Sequence, residues 1–249
     1  MIDPLVLAVA LGAAAGGFVQ GLSGFAFGLV AMAVWAWWLD PRLAGPLVVF
    51  GSLLGQLLAL PTLRRGFEMR RVLPFLLGGV AGVPLGVLLL RVVDPLAFRL
   101  VVGLLLVVWC PAMLLARELP RVTRGGRLAD AGAGLLGGVL GGLGGLSGPA
   151  PTLWTTLRGW GRDTQRAVLQ SFNLVMHGLT MAAYLAAGTV TAEAARLFLV
   201  VAPAMLLPAL LGARLYGRFG DEVFRRVVLA LLAASGVILL ATTLPQMLR

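Results

Sequence analysis

Apolar runs that reach the roughly 17 to 25 residues needed to cross a bilayer follow one another along the chain, at about 43–62, 72–91, 97–115, 167–187, 195–213 and 225–243. A soluble core of this length would alternate apolar stripes with polar faces. Only 12% of the residues are charged, against about 25% in a soluble domain, so lipid is the main solvent. The expected fold class is an all-α polytopic membrane protein.

The chain also repeats itself. Gly21-Leu22-Ser23-Gly24 returns as Gly145-Leu146-Ser147-Gly148, Phe98-Arg99 as Phe224-Arg225, and Gly86 as Gly212. Self-similarity at a nearly constant offset marks a duplicated unit. Each unit reads as a Gly-rich pair of short segments followed by three spans. The expected division is a first repeat at 1–116, a polar cytoplasmic linker at 117–129 and a second repeat at 130–249, forming one integrated membrane domain.

Arginine placement gives the orientation. The loops at 64–71, 117–127, 158–166 and 214–226 hold fifteen of the chain's twenty arginines, and cytoplasmic loops carry such an excess. This places both termini outside a bacterial inner membrane and makes the two repeats antiparallel, an inverted-topology pair.

With those loops inside, the second Gly-rich pair begins and ends on the cytoplasmic side. Its second arm, at 149–157, covers about 14 Å at 1.5 Å per residue, near half of a hydrocarbon core, so it dips in and returns. In the first pair the apolar run from Phe25 to Leu39, with Trp35, Trp37 and Trp38 as an interface belt, leaves re-entry and full crossing both open. Broken backbone at membrane depth must be buried or line a cavity. Pro149 suits a first helical position, and Ser23 or Ser147 can cap the exposed N–H groups. Two helix N-termini facing each other near midplane would favour an anion by about 0.3 to 2 kcal/mol each, with glycines admitting it to the backbone. Gly21, Ser23, Gly24, Phe25, Gly145, Ser147, Gly148 and Pro149 are therefore candidate substrate contacts. Gly78, Gly82 and Gly86 instead have the four-residue spacing of close helix packing.

The span at 167–187 carries Gln170, Asn173, His177, Thr180 and Tyr184 on one helical face. Five polar groups facing lipid would be costly, so the stripe should face the interior. Asn173, His177 and Thr180 join the candidate site, as do Ser52 and Gln56 on one face of an earlier span and Gln20 just before the first turn. His177, the only histidine, could handle substrate or a proton. The alternative role is to tie helices together, at about 0.6 kcal/mol per group.

Other classes of function are disfavoured. The net charge of +10 could suggest nucleic acid, but the arginines sit in short loops between spans. The chain has no lysine for a Walker-type nucleotide site, and Cys110 is a lone cysteine inside an apolar run. No metal or cofactor motif occurs, and no carboxylate lies mid-span, so an enzyme is not expected. A Ser147–His177 dyad is the remaining enzymatic option.

These features resemble the sulfite-exporter family called TauE/SafE or TSUP. The resemblance spans nearly the whole chain and rests on the doubled Gly-rich segment, Gly16 to Phe25 and Gly137 to Pro149, with its spacing to the following spans. It implies a secondary transporter of sulfite, an organosulfonate or a related sulfur oxyanion, working by alternating access around a midplane site, with a channel or facilitator as the alternative. The implied partners are a small anionic sulfur compound, the bilayer and a coupling ion, proton or sodium, and no nucleic acid. The oligomeric state is left open.

Overall fold

The computed structural model describes residues 3–23, 26–60, 67–115, 121–215 and 221–248. These form ten helices: α1 (Pro4–Ser23), α2 (Phe27–Trp35), α3 (Pro41–Ala59), α4 (Met69–Val92), α5 (Pro95–Leu115), α6 (Gly126–Gly144), α7 (Pro149–Leu157), α8 (Arg162–Ala186), α9 (Ala192–Leu215) and α10 (Asp221–Met247). Six of them, α1, α3, α4, α5, α9 and α10, are long and apolar enough to cross a membrane. At 19 and 25 residues α6 and α8 have the length, but glycine lowers the apolarity of one and the polar stripe that of the other.

Three helices begin at an Asp-Pro pair. Asp40 accepts the Arg42 N–H at 2.8 Å, and Asp94 accepts those of Leu96 and Ala97 at 2.9 and 3.1 Å. Asp3 accepts the Leu5 N–H at 2.9 Å. In each pair the carboxylate caps the free donors while the proline occupies a position that needs none. The starts of α1, α3 and α5 are thereby set locally.

The Gly-rich pairs differ from the sequence expectation in one respect. Their first arms are long, 20 residues in α1 and 19 in α6; only α2 and α7, of nine residues each, are short. The reason lies in packing: α1 lies along α9, and α6 along α4, and such contacts need full-length helices. Gly78, Gly82 and Gly86 of α4 meet the α6 backbone at Ala131, Leu135 and Val139, while Gly134, Gly138 and Gly142 of α6 meet the α4 backbone at Phe75, Gly79 and Val83. A Cβ at any of these glycines would collide with main chain. Gly17 and Gly21 of α1 approach the α9 backbone at Met205 and Ala209 in the same way.

Both short arms fold back along their long partners. Trp35 Nε1 donates to the Ala8 carbonyl at 3.2 Å, and Trp154 Nε1 donates to Asp130 Oδ1 at 2.7 Å. Each hairpin therefore returns the chain toward the side it came from, and a nine-residue arm of about 14 Å cannot span a core of about 30 Å. Outer helices fasten the short arms through their main chain. Ser235 of α10 donates to the Ala33 carbonyl at 3.1 Å, and Trp109 of α5 donates to the Pro149 carbonyl at 2.8 Å. The helix α3 packs on α8 between the two hairpins, and α5 packs on α10.

Candidate functional site

The site begins at Gly145. This residue ends α6 with a φ of 72°, in the left-handed region that favours glycine. Its N–H reaches the Gly141 carbonyl at 2.7 Å, and a Cβ there would lie 2.5 Å from Val48 Cγ1. Both the conformation and the space exclude a side chain. Gly148 then precedes α7, with Pro149 at its first position.

The two breaks meet. A Cβ on Gly28, in the first turn of α2, would lie 2.8 Å from the Gly145 carbonyl oxygen and 3.3 Å from Ser52 Oγ. Around this junction is a cavity of about 30 Å³, enough for one or two waters or a comparably small polar group. Of the residues expected from sequence, Ser52, Gly145, Gly148, Pro149 and His177 line it.

The polar face of α8 points inward as expected: Gln170, Asn173, His177, Thr180 and Tyr184 are all at least 95% buried. Ser147 and Asn173 stand behind the cavity wall and position the histidine. Ser147 Oγ donates to Asn173 Oδ1 at 2.8 Å, and His177 Nδ1 lies 2.6 Å from the Asn173 main-chain oxygen and 3.3 Å from Ser147 Oγ. A carbonyl only accepts, so Nδ1 carries the hydrogen. Tyr184 is a tie, its hydroxyl donating to the Gly142 carbonyl at 2.7 Å.

Ser52 Oγ, Asn173 Nδ2, His177 Nε2 and Thr180 Oγ1 are buried without a hydrogen-bond partner in the protein. Each such group costs about 1 to 3 kcal/mol if left unpaired. Ser52 lies on α3 and the other three on α8, two helices that pack together; of the four residues, Ser52 and His177 line the cavity.

Other expected residues have different surroundings. Gln20 caps the first short arm, its Oε1 accepting the Phe27 N–H at 3.0 Å, and Ser23 Oγ accepts the Ala26 N–H at 3.2 Å. Gly21 packs against α9, and Gln56 is buried on α3. Gly24 and Phe25 lie outside the described residues.

Two local expectations need correction. Ser147 does not cap α7: Gly148 stands at the cap, no side chain accepts from the helix's first N–H groups, and the Ser147 hydroxyl donates to Asn173. Nor does α7 offer a full set of N-terminal donors: Pro149 and Pro151 have no N–H, which leaves Ala150 alone among its first three positions. The anion-attracting power of that helix end is correspondingly smaller. A Ser147–His177 dyad also fails as a nucleophile and base, since the nitrogen nearest the hydroxyl carries a hydrogen and the hydroxyl proton points elsewhere.

Trp109 and Thr152 line the cavity but escape sequence reading. An isolated tryptophan in an apolar run reads as packing. For Thr152 a signal existed, since three of the nine residues of the short arm are threonines: Thr152, Thr155 and Thr156. Their role is partly structural, because Gln165 Nε2 donates to Thr155 Oγ1 at 3.0 Å and Thr156 Oγ1 at 2.7 Å.

The profile of the family described as "Sulfite exporter TauE/SafE" matches residues 8–239. The chain belongs to the TauE/SafE family. Members of TauE/SafE are membrane transporters of sulfite and related sulfur compounds rather than enzymes, in keeping with six helices long and apolar enough to cross a membrane. No curated protein and no solved structure gives a match to the chain.

Proposed function

We propose that this TauE/SafE protein is a secondary carrier of a small sulfur oxyanion or sulfonate, which it holds where its two hairpin breaks meet, in a widened form of the cavity of about 30 Å³ between them. One observation carries the reading. Gly28 of the first break abuts the carbonyl of Gly145 in the second, beside buried hydroxyl, amide and imidazole groups that lack protein partners. Hydroxyl and amide N–H groups suit an anion's oxygens.

The arrangement of helix pairs also supports an inverted repeat; the outside placement of the two termini rests on the arginine-rich loops alone. Exchanging α1–α5 for α6–α10 leaves the main packing unchanged: α1 on α9 becomes α6 on α4, and α3 on α8 and α5 on α10 map onto themselves. The expected linker at 117–129 runs into the first turn of α6, which starts at Gly126. In such carriers a central site is exposed alternately by one bundle rocking against another.

The moving bodies, however, are not the sequence halves, because α1 meshes with α9 and α4 with α6 across them. They are α1, α2, α3 and α9 on one side and α4, α6, α7 and α8 on the other, with the cavity between α3 and α8.

Flux in proteoliposomes tests the reading. Sulfite, thiosulfate or methanesulfonate should show saturable uptake that is accelerated by the same compound on the far side. Conductance without exchange would make the protein a channel. Folded protein that moves none of these anions would defeat the substrate class.

A further inference from the structure

The cavity lacks a counter-charge for the anion it is read to hold. Among the described residues the buried charged side chain is Asp130. It lies at the far end of α6, where its Oδ1 accepts from Trp154 and sits 3.8 Å from Arg158 Nε. The helix end nearest the cavity has lost two donors to proline. A divalent oxyanion entering here would keep both charges with only hydroxyl and amide groups to meet them, and burial penalises unpaired charge steeply.

His177 makes the conflict sharper. Its Nδ1–H is held by the Asn173 main-chain oxygen at 2.6 Å, so in the neutral ring Nε2 is the bare nitrogen. The ring also lies against the Gly145 carbonyl; Nε2 is buried, makes no hydrogen bond of good geometry with the protein and belongs to a residue lining the cavity. A lone pair facing an oxyanion repels it. A proton placed between them reverses the sign, giving an N–H···O or N···H–O bond and removing one unit of charge from the guest.

Resting on the carrier reading above, we infer that the site takes up one proton with each divalent oxyanion, held between His177 Nε2 and an oxygen of the guest, which makes the proton the coupled ion. The step is a proton addition, X²⁻ + imidazole + H⁺ giving either bound HX⁻ beside neutral imidazole or X²⁻ paired with imidazolium, and needs no other reactant.

Other ionisable groups on the packed helices are occupied elsewhere. On α8, Tyr184 is bonded to Gly142, and Arg166 lies eleven residues before His177, three turns away. On α3, Arg42 donates to the Arg91 carbonyl at the end of α4, and Glu68 pairs with Arg71 at the start of α4. On α6 and α7, Asp130 and Arg158 form the distant pair already described, with Arg127 exposed in the first turn of α6. Cys110 of α5 is buried on a helix that packs against α7 and α10.

The chain has one histidine, so ¹⁵N-histidine labelling reports on this ring alone. Full-length protein carrying a histidine-free affinity tag is placed in nanodiscs and titrated with sulfite at a pH where the free ion is the dianion. Proton uptake is followed with an indicator dye. The free protein should show N–H on Nδ1 and a bare Nε2. Bound sulfite should move the Nε2 signal away from the bare-nitrogen position with close to one proton taken up per ion. Affinity should fall about tenfold per pH unit in that range. His177→Gln should bind with little proton uptake and a flattened pH slope.

Sulfite that binds while Nε2 stays bare, or without proton uptake, overturns the inference and leaves the anion site standing. So does a His177→Gln protein that still takes up one proton per ion. Failure of sulfite to bind folded wild-type protein defeats the carrier reading instead, and the proton with it.

Discussion

Ser147, Asn173 and His177 form a chain of support in which each group fixes the next. Removing the Ser147 hydroxyl leaves Asn173 Oδ1, buried within the protein, without its donor. Ser147→Ala should therefore weaken sulfite binding by about 0.5 to 1.5 kcal/mol, seen as a smaller thermal shift at fixed sulfite. Cys110→Ala, at a buried position away from the cavity lining, should leave the shift unchanged and serves as the control. Gly145 makes a different demand. Its positive φ and the nearby Val48 methyl both oppose a side chain, so Gly145→Ala should cost about 1 to 2 kcal/mol from backbone strain alone. A lowered melting temperature in nanodiscs checks this. An unchanged one would mean that the break has another shape.

At the scale of elements, each hairpin is a short helix bolted to a long one by an indole. The bolt in the second hairpin is the costlier to remove, because Trp154 satisfies a buried carboxylate, whereas Trp35 meets an ordinary carbonyl. Trp154→Phe keeps the ring but deletes the donor and should destabilise by about 1 to 3 kcal/mol; Trp35→Phe should cost about 1 kcal/mol. Comparing the two melting curves decides it, and equal losses would argue against the carboxylate's role. The nine-residue length of α7 and its proline start were legible in the sequence, since both depend on neighbours along the chain. The route of the Ser147 hydroxyl was not. A serine before a helix is an ordinary cap, and only the approach of α8 supplies the competing acceptor. The two prolines that thin out the donors of α7 stand in the sequence, and their effect follows from covalent chemistry alone.

In the whole molecule helices from the two parts of the chain interleave, α1 with α9 and α4 with α6. If α4 needs α6 and α9 needs α1, a chain cut within 117–129 should yield fragments that are unstable apart. Co-expressed, the two pieces should co-purify and bind sulfite, because the glycine contacts that mesh α4 with α6 and α1 with α9 all lie outside the cut segment. A single fragment that is monodisperse and thermally stable by itself would show that the interlacing matters less than its geometry implies. Hydropathy and the Gly-Leu-Ser-Gly echo specify by themselves that the chain is membrane-embedded, where five of its six apolar spans run, where two turns interrupt the chain and which face of α8 avoids lipid; the full length of α1 was not legible. What they specify are properties of a segment and its solvent. Which helices become partners was decided only in three dimensions. Lipid tails are as apolar as leucine, so burial gives no preference among helices, and the choice falls to the fit of small-residue stripes on distant segments. That fit brings the two breaks together and encloses an imidazole whose outer nitrogen lacks a partner.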